Sequence, residues 1–148
     1  MRDEIYQLES TPSLMSYEFV SEGPKGQITK LVKYTETGAK DVYNLGFGDK
    51  IGDSDDIDDK VVSDNKDSLR ILATVAETVY RFTDRYSDAY VYATGSTLAR
   101  TRLYRISISK FLKEIEEDFW VFGGIDGKIE RFNKNIDYAF YLVKRKLF

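Results

Sequence analysis

A long helical repeat of apolar residues in the middle of the chain constrains the fold more than any other feature. The apolar side chains recur every three or four residues, which is the spacing that places them on one face of a helix. We predict a helix from about Asn65 to Tyr86, with Asp64 as its N-cap. An apolar face this broad predicts a well-buried helix that lies across a sheet. Its members are Leu69, Ile71, Leu72, Val75, Ala76, Val79, Tyr80 and Phe82.

Strand-like segments lie on both sides of this helix. Three of them precede it, with alternating apolar and polar residues and with turns between them that contain Gly. A fourth strand follows the helix and leads into a second helix that ends near Glu117, and three more strand-like segments complete the chain. The order β-β-β-α-β-α-β-β-β predicts an α+β fold, with a mostly antiparallel sheet of six or seven strands and two main helices on one face. The predicted strands are 14–21, 28–36, 41–46, 89–94, 120–122, 128–132 and 138–143.

The length of 148 residues predicts a single domain that spans residues 1–148. Residues 1–13 show no clear period, and we expect a loosely attached N-terminal arm there. No apolar run approaches the roughly 18 residues of a transmembrane helix, and the first residues lack the apolar core of a signal peptide. We therefore expect a cytoplasmic protein without a membrane partner.

The residue types that are missing exclude much of enzyme chemistry. The chain contains no Cys and no His, so disulfides, thiolate nucleophiles, Cys/His zinc sites and histidine general bases are excluded. Catalysis would have to use carboxylates, Lys, Tyr, Arg or a hard metal held by carboxylates. The loop at 47–60 is rich in Asp but lacks the spacing of a calcium loop. We expect a solvated loop, and we predict neither a metal nor a cofactor.

The most suggestive local feature joins the fourth strand to the second helix. The strand ends at Gly95, and Ser96 or Thr97 can cap the helix that begins at once. A helix start directs several free N–H groups at one point, where an anion is favoured. Residues 96–148 hold 11 basic and 7 acidic side chains, whereas residues 1–95 hold 11 basic and 18 acidic ones. This basic half could face an anion, or the two halves could complement one another across the fold.

Three arginines follow in the second helix, and they do not share one face. Arg100 falls between two apolar patches and close to Tyr104, so we expect it to be partly buried. Arg102 and Arg105 fall roughly opposite and are expected to be exposed. Because a buried guanidinium needs a partner, two interpretations are open. Arg100 either pairs with a carboxylate such as Asp49, or binds an anion at the helix start.

Polar and aromatic residues of the third and fourth strands could also contribute to a site at the start of the second helix. Asn44 and Asp49 flank a segment with two glycines at the end of the third strand. They could lie at the rim of a site that faces Arg100. Alternatively, the segment is a simple turn that Asp49 caps. Tyr90 and Tyr92 lie on one face of the fourth strand, where they could stack on bases or belong to the core. The candidate ligand-binding residues are Ser96, Thr97, Arg100, Arg102, Tyr104, Asn44 and Asp49.

Three separated blocks resemble, in order, a family of small bacterial proteins of unknown function. They are Asn-Leu-Gly-Phe-Gly-Asp at 44–49, Leu-Ala-Thr-Val-Ala at 72–76 and Gly-Ser-Thr-Leu-Ala-Arg-Thr-Arg-Leu-Tyr at 95–104. The resemblance extends from about residue 14 to residue 146. It implies no activity, cofactor or catalytic residue, but it suggests that the first and third blocks belong together. The Gly-Ser pair also resembles the opening of a nucleotidyltransferase motif, although the acidic pair that holds two magnesium ions in that family does not occur at the required spacing.

Three functions remain open. The one we favour is a non-catalytic module that binds a phosphate-bearing ligand, a nucleic acid or another anionic partner at the Ser96/Thr97 helix start, with Arg100 as a clamp. The second is a histidine-free nuclease or phosphotransferase of the toxin type, with a small neutralising protein partner. In that case Arg100 and Arg102 would stabilise phosphoryl charge, and Tyr104 or Asp49 would transfer the proton. The third is a structural subunit that forms a homodimer through an exposed strand edge.

Overall fold

A computed structural model describes residues 4–58, 64–95 and 97–147. This part of the chain contains nine strands and two helices. The helices are α1 (Ser68–Arg85) and α2 (Leu98–Asp118). The strands are β1 (Glu9–Ser10), β2 (Ser16–Gly23), β3 (Gly26–Glu36), β4 (Val42–Lys50), β5 (Ile57–Asp58), β6 (Tyr90–Ala93), β7 (Phe119–Ile125), β8 (Lys128–Arg131) and β9 (Phe140–Arg145).

The strands are hydrogen-bonded in the order β1-β2-β3-β4-β6-β9-β7-β8, and β5 pairs with β4. The β4–β6 pair is parallel, whereas β1–β2, β2–β3, β4–β5, β6–β9, β7–β9 and β7–β8 are antiparallel. The predicted α+β class, with two helices and a mostly antiparallel sheet, is therefore confirmed. The predicted count of six or seven strands is wrong. The strands β1 and β5 are only 2 residues long, which is too short to show the alternation that identifies a strand.

The chain divides into two compact units. Unit 1 consists of Met1–Thr35 and Gly46–Arg85, and unit 2 consists of Glu36–Leu45 and Tyr86–Phe148. The division falls inside β4, so each unit contains part of this strand. Neither α1, in unit 1, nor α2, in unit 2, combines the length and the apolar character that a membrane-crossing helix needs.

In unit 1, α1 packs on β3 through an aromatic stack. The rings of Tyr34 and Phe82 are nearly parallel, with centroids 4.1 Å apart. The hydroxyl of Tyr34 is also hydrogen-bonded to that of Thr78, at 2.8 Å in the buried interior. The predicted apolar face supplies five of the ten buried residues of α1, and its member Leu69 is 43 % exposed. The other five buried residues are Ala73, Thr74, Glu77, Thr78 and Thr83. The helical spacing therefore identified the apolar part of the buried surface of α1 but not its buried threonines.

The helix α1 begins at Ser68 rather than at the predicted Asn65. Asn65 is buried, and its side-chain amide donates hydrogen bonds to the Ser21 hydroxyl at 3.1 Å and to the Gly26 carbonyl at 3.0 Å. These two bonds hold Asn65 against the β2–β3 hairpin. The helix therefore starts only after the chain has left that contact.

Tyr6 ties the segment before β1 to the core of unit 1. Its ring is 5 % exposed and stacks on Phe19, with centroids 5.7 Å apart. Its backbone N–H donates to the hydroxyl of Thr74 in α1 at 2.9 Å, and its own hydroxyl donates to Asp67 at 2.5 Å. Part of the predicted N-terminal arm thus supplies a core side chain, which periodicity could not reveal because a single buried residue has no period.

In unit 2, alternate residues of β6, β7 and β9 form a buried side of the sheet. Val91, Val121 and Tyr141 are each 2 % exposed or less. The helix α2 contacts β7 and changes direction at Phe111, whose φ of −107° and ψ of 17° are not helical. The other side of the same three strands is more exposed, since Tyr90 is 36 % and Trp120 is 41 % exposed.

Candidate functional site

The start of α2 uses its own hydroxyl groups to satisfy its backbone. Thr97, one of the two residues that the sequence allowed as the cap, is the N-cap, and its side-chain oxygen accepts a hydrogen bond from the Arg100 N–H at 3.2 Å. The Gly95 N–H donates to the hydroxyl of Thr101 at 3.1 Å. Two N–H groups that the sequence assigned to an anion therefore already have acceptors. Ser96 lies outside the described residues.

A side chain at Gly95 would not fit beneath this turn. A Cβ atom there would collide with the backbone nitrogen of Thr101 and with the side chain of Arg100. The hydroxyl of Thr101 also donates to the Thr97 carbonyl at 3.2 Å, which closes the turn on itself. The glycine that the sequence pattern singled out is thus explained by close packing within the turn.

The arginines of α2 differ in their surroundings. Arg100 is half-buried and Arg102 is exposed, as expected. Arg105, which was also expected to be exposed, is half-buried and pairs with Asp137 at 2.5 Å, and it donates to the Lys134 carbonyl at 3.2 Å. The acceptors for Arg105 come from the loop between β8 and β9, so the helical spacing alone could not predict this ion pair.

Tyr104 lies one turn after Arg100 and is strongly affected by burial. Burial raises the pKa of Tyr104 to about 12, and the nearby charge of Arg100 offsets only part of this effect. The phenol therefore keeps its proton near neutral pH and can donate a hydrogen bond. This protonation state does not suit a general base.

Asn44 and Asp49 lie at different positions along β4. Asp49 is paired with Lys30 of β3, and the side chains of both residues are largely buried. Asn44 is half-buried and pairs in register with Tyr92 of β6. The carboxylate of Asp49 is therefore engaged in an ion pair within unit 1. Its predicted position facing Arg100 stays a prediction.

Gly48, between those two residues, is explained by packing. A Cβ atom at this position would lie 2.5 Å from a methyl group of Ile57 in β5. The sequence suggested a close backbone approach in this segment, and β5 is the element that makes it. The approach belongs to the β4–β5 pairing and requires no ligand.

The second face of the unit 2 sheet carries aromatic and basic side chains. Tyr90 of β6, Lys144 of β9 and Trp120 of β7 are aligned in register across three neighbouring strands. Tyr90 is 36 % exposed and Trp120 is 41 % exposed. We call this surface the open face. It consists of two registered rows, Val42-Tyr90-Lys144-Trp120 and Asn44-Tyr92-Leu142-Phe122-Arg131.

Three cations lie beside the exposed rings of the open face. The Nζ atom of Lys144 is 5.9 Å from the centroid of the Tyr90 ring. The guanidinium carbon of Arg131 is 4.7 Å and the Nζ atom of Lys146 is 4.4 Å from the centroid of the Trp120 ring. None of the three forms an ion pair with a residue that the structure describes. The two rows of the open face contain no Asp or Glu. The open face therefore carries positive charge that no carboxylate in these rows balances.

The ammonium groups are held in place by backbone carbonyls. Lys144 donates to the Ser87 carbonyl at 2.9 Å and Lys146 donates to the Glu116 carbonyl at 2.5 Å. A carbonyl positions an ammonium group without neutralising it. Both lysines therefore keep their charge available to a ligand.

Unit 1 contains a groove of about 490 Å³ between the segment before β1 and the strands β2 and β3. Its charged lining is mainly acidic, and Glu18 is already paired with Lys50 at 2.7 Å. The guanidinium of Arg70 lies over the Tyr6 ring, 3.8 Å from its centroid. The groove therefore does not suit the anionic ligand that the sequence predicted. Its lining residues are Tyr6, Gln7, Glu9, Glu18, Phe19, Val20, Glu22, Gln27, Thr29 and Arg70.

Sequence reasoning identified only part of the open face. It raised Tyr90 and Tyr92 as a platform for stacking but missed Trp120, Arg131, Lys144 and Lys146. The alternation in 120–122 and 142–144 was visible, but only the pairing of β6 with β9 and of β9 with β7 places these residues in common rows. Among the described residues no cluster of three or more Asp and Glu side chains could hold a metal ion.

Comparison with known proteins gives one informative match. No curated protein and no solved structure matches the chain significantly. The sequence profile of a family of unknown function, DUF6934, matches residues 2–146, which covers nearly the whole chain and both units. The chain therefore belongs to the DUF6934 family of unknown function.

Proposed function

We propose that the protein is a non-catalytic module that binds an anionic ligand on the open face of unit 2. The observation that carries this proposal is the group of three cations, Arg131, Lys144 and Lys146, that have no carboxylate partner among the described residues. Like charges at close range repel one another, and a bound anion relieves that repulsion. The two rows of the open face also contain no acidic residue that would repel such a ligand.

The start of α2 supports anion binding less well than the open face does. The N–H groups of Gly95 and Arg100 are used by the hydroxyls of Thr101 and Thr97. A ligand there would have to compete with these internal acceptors, whereas the cations of the open face need no such exchange with a side chain. The half-buried Arg100 and the exposed Arg102 remain secondary candidates for contact with a long ligand.

A histidine-free nuclease or phosphotransferase has weaker support. Its proposed proton-transfer residues were Tyr104 and Asp49. Burial raises the pKa of Tyr104 to about 12, and Asp49 is paired with Lys30. The phenol of Tyr104 is therefore not suited to accept a proton at neutral pH, and the carboxylate of Asp49 is already engaged by an ammonium group.

Heparin provides a direct test because it offers dense negative charge without aromatic bases. We expect the full chain to bind heparin, with an affinity that falls as salt is raised. Lys144→Glu should weaken binding about tenfold, since reversing one charge at the surface changes the free energy of binding by about 1–2 kcal/mol. Isothermal titration calorimetry at several salt concentrations measures both effects.

Lys113→Glu is the matched control for charge reversal. Lys113 is an exposed lysine of α2, in the same unit but outside the rows of the open face. We expect it to change heparin affinity by no more than about twofold. Equal losses in Lys113→Glu and Lys144→Glu would refute the open face as the site, as would the absence of heparin binding at low salt.

A further inference from the structure

We infer that the anionic ligand of the open face is a single-stranded nucleic acid, with bases stacked on Tyr90 and Trp120 and a phosphate beside Lys144. The inference rests on the proposed function and adds the class of ligand to it. Its basis is the registered row in which an exposed aromatic ring, a lysine and a second exposed ring occupy three neighbouring strands. One row therefore offers two rings on which bases can stack and, between them, a lysine that can contact a phosphate.

The spacing within the row favours a single strand over a duplex. Neighbouring strands of a sheet lie about 4.8 Å apart, so the strand positions of Tyr90 and Trp120 are separated by about 10 Å. Bases within a duplex rise only about 3.4 Å per step and are covered by their neighbours. Two bases can reach both rings only if they are spread apart, which a single strand permits.

The second row lies beside the first on the same face of the sheet. Tyr92, Leu142 and Phe122 are half-buried and adjacent in register. The Tyr92 ring also packs against Phe140, with centroids 4.8 Å apart. Tyr92 and Phe122 are two residues from Tyr90 and Trp120 on the same strands, so the apolar surface continues from the first row into the second.

The rings distinguish a nucleic acid from a simple polyanion. Sulfates, carboxylates and phosphates need only the cations, and they gain nothing from an exposed indole. A base gains a stacking contact, which is stronger than the cation–π contact of an exposed lysine or arginine. A base can therefore replace Arg131 or Lys146 on one side of Trp120, and the displaced cation can then contact a phosphate.

The charges also disfavour a second copy of the chain as the occupant. A symmetric dimer through the open face would bring its cations close to the same cations of the other copy. Because the two rows offer no Asp or Glu to offset this repulsion, the surface is better matched to a polymer that carries negative charge along its whole length.

Trp120 makes the inference directly measurable, because it is the only tryptophan in the chain. We expect oligo(dT) or oligo(U) of about 12 nucleotides to quench its fluorescence saturably when added to the full chain. Inorganic polyphosphate should bind without comparable quenching, and a duplex of matched length should bind more weakly than the single strand. Fluorescence titration and calorimetry provide these comparisons.

Substitution of Tyr90 separates stacking from charge. Tyr90→Leu should weaken oligonucleotide binding about tenfold and leave polyphosphate binding unchanged, whereas Tyr90→Phe should keep both. Leu103→Ser is the control, because Leu103 is an exposed apolar residue of α2 with 40 % exposure; it should change neither affinity. Lys144→Glu should weaken both ligands, since it removes the shared phosphate contact.

The outcomes separate this inference from the proposed function. Equal affinities for polyphosphate and oligonucleotide, together with no effect of Tyr90→Leu, would overturn the nucleic acid and leave the anion-binding site intact. Tighter binding of the duplex than of the single strand would also overturn it. If heparin, polyphosphate and oligonucleotides all fail to bind at low salt, the proposed function fails as well. If Tyr90→Leu does not fold, the unsubstituted protein still tests the inference: quenching of Trp120 fluorescence by the oligonucleotide but not by polyphosphate supports stacking, and equal or absent quenching contradicts it.

Discussion

At the scale of single residues, Asp67 joins three parts of unit 1. One of its carboxylate oxygens accepts hydrogen bonds from the hydroxyls of Tyr6 and Ser21, both at 2.5 Å. The other oxygen is buried and has no hydrogen-bond partner among the described residues. Tyr6 precedes β1, Ser21 lies in β2 and Asp67 immediately precedes α1. The side chain therefore connects elements that are far apart in the sequence.

We expect Asp67→Ala to lower the free energy of unfolding by about 3 kcal/mol. Hydrogen bonds to a charged group contribute about 1.5–3 kcal/mol each, and the substitution also leaves the Ser21 hydroxyl without its acceptor, whereas the Tyr6 hydroxyl keeps the Glu22 carbonyl at 3.2 Å. Urea denaturation at neutral pH measures the loss. Asp64→Ala is the control, because Asp64 is exposed and, among the described residues, its hydrogen bonds stay within its own turn and go to Lys66; its urea midpoint should barely move. A loss below about 1 kcal/mol in Asp67→Ala would contradict this role.

At the scale of elements, the start of α2 is a cap that closes on itself. Thr97 accepts from the Arg100 N–H, and Thr101 accepts from the Gly95 N–H. The sequence predicted the cap correctly because N-cap preference is local chemistry. The absence of free N–H groups at Gly95 and Arg100 depends on how the turn folds back on the helix. A cap that the sequence identifies is therefore not by itself a ligand site.

We expect Thr97→Ala to lower the free energy of unfolding by about 1 kcal/mol, because the first turn of α2 loses its side-chain acceptor. Thr97→Ser keeps that acceptor and should be close to neutral. Thermal and urea unfolding of both variants provide the comparison. Heparin binding by Thr97→Ala is a second readout, which should be unchanged if the anion binds the open face. A marked loss of heparin affinity in this variant would instead locate the anion at the start of α2.

At the scale of the whole molecule, tyrosines with raised pKa values are expected to make stability sensitive to alkaline pH. Burial raises the pKa of Tyr6 in unit 1 and of several tyrosines in unit 2, with Tyr104 and Tyr141 reaching about 12. An unfolded tyrosine has a pKa of about 10. Because the folded value is the higher one, the unfolded state releases its proton first. The contribution of these protonated tyrosines to the free energy of unfolding is therefore fully present below about pH 10, and it is lost as the pH rises towards 12.

We expect the free energy of unfolding to fall above about pH 10, by roughly 1 kcal/mol per pH unit for each tyrosine with a strongly raised pKa. Tyr104→Phe and Tyr141→Phe should each make this fall less steep, because phenylalanine has no proton to release. Tyr90→Phe, at an exposed ring, serves as the control. Urea unfolding between pH 7 and pH 11 or so measures the slopes. If the free energy of unfolding falls equally steeply with pH in all variants, Tyr104 and Tyr141 are not the groups responsible for the fall.

The sequence by itself determined the features that depend on local chemistry and short-range spacing. These are the apolar part of the buried surface of α1, a hydroxyl cap at residue 96 or 97, the α+β class and the exclusion of cysteine and histidine chemistry. It could not reveal β1 and β5, whose 2 residues carry no period. It also placed the start of α1 too early, because the bonds of Asn65 to Ser21 and Gly26 link positions about 40 residues apart.

Only the tertiary structure decided which of the aromatic and basic side chains share a surface. Tyr90, Lys144 and Trp120 are widely separated in the sequence and become neighbours because β9 pairs with both β6 and β7. Strand pairing is governed by packing on distant strands, so the alternation within one strand does not specify its partner or register. In the same way, the pairing of β3 with β4 neutralises Asp49 with Lys30. Local pattern identified side chains capable of binding, and long-range pairing decided which of them share a surface.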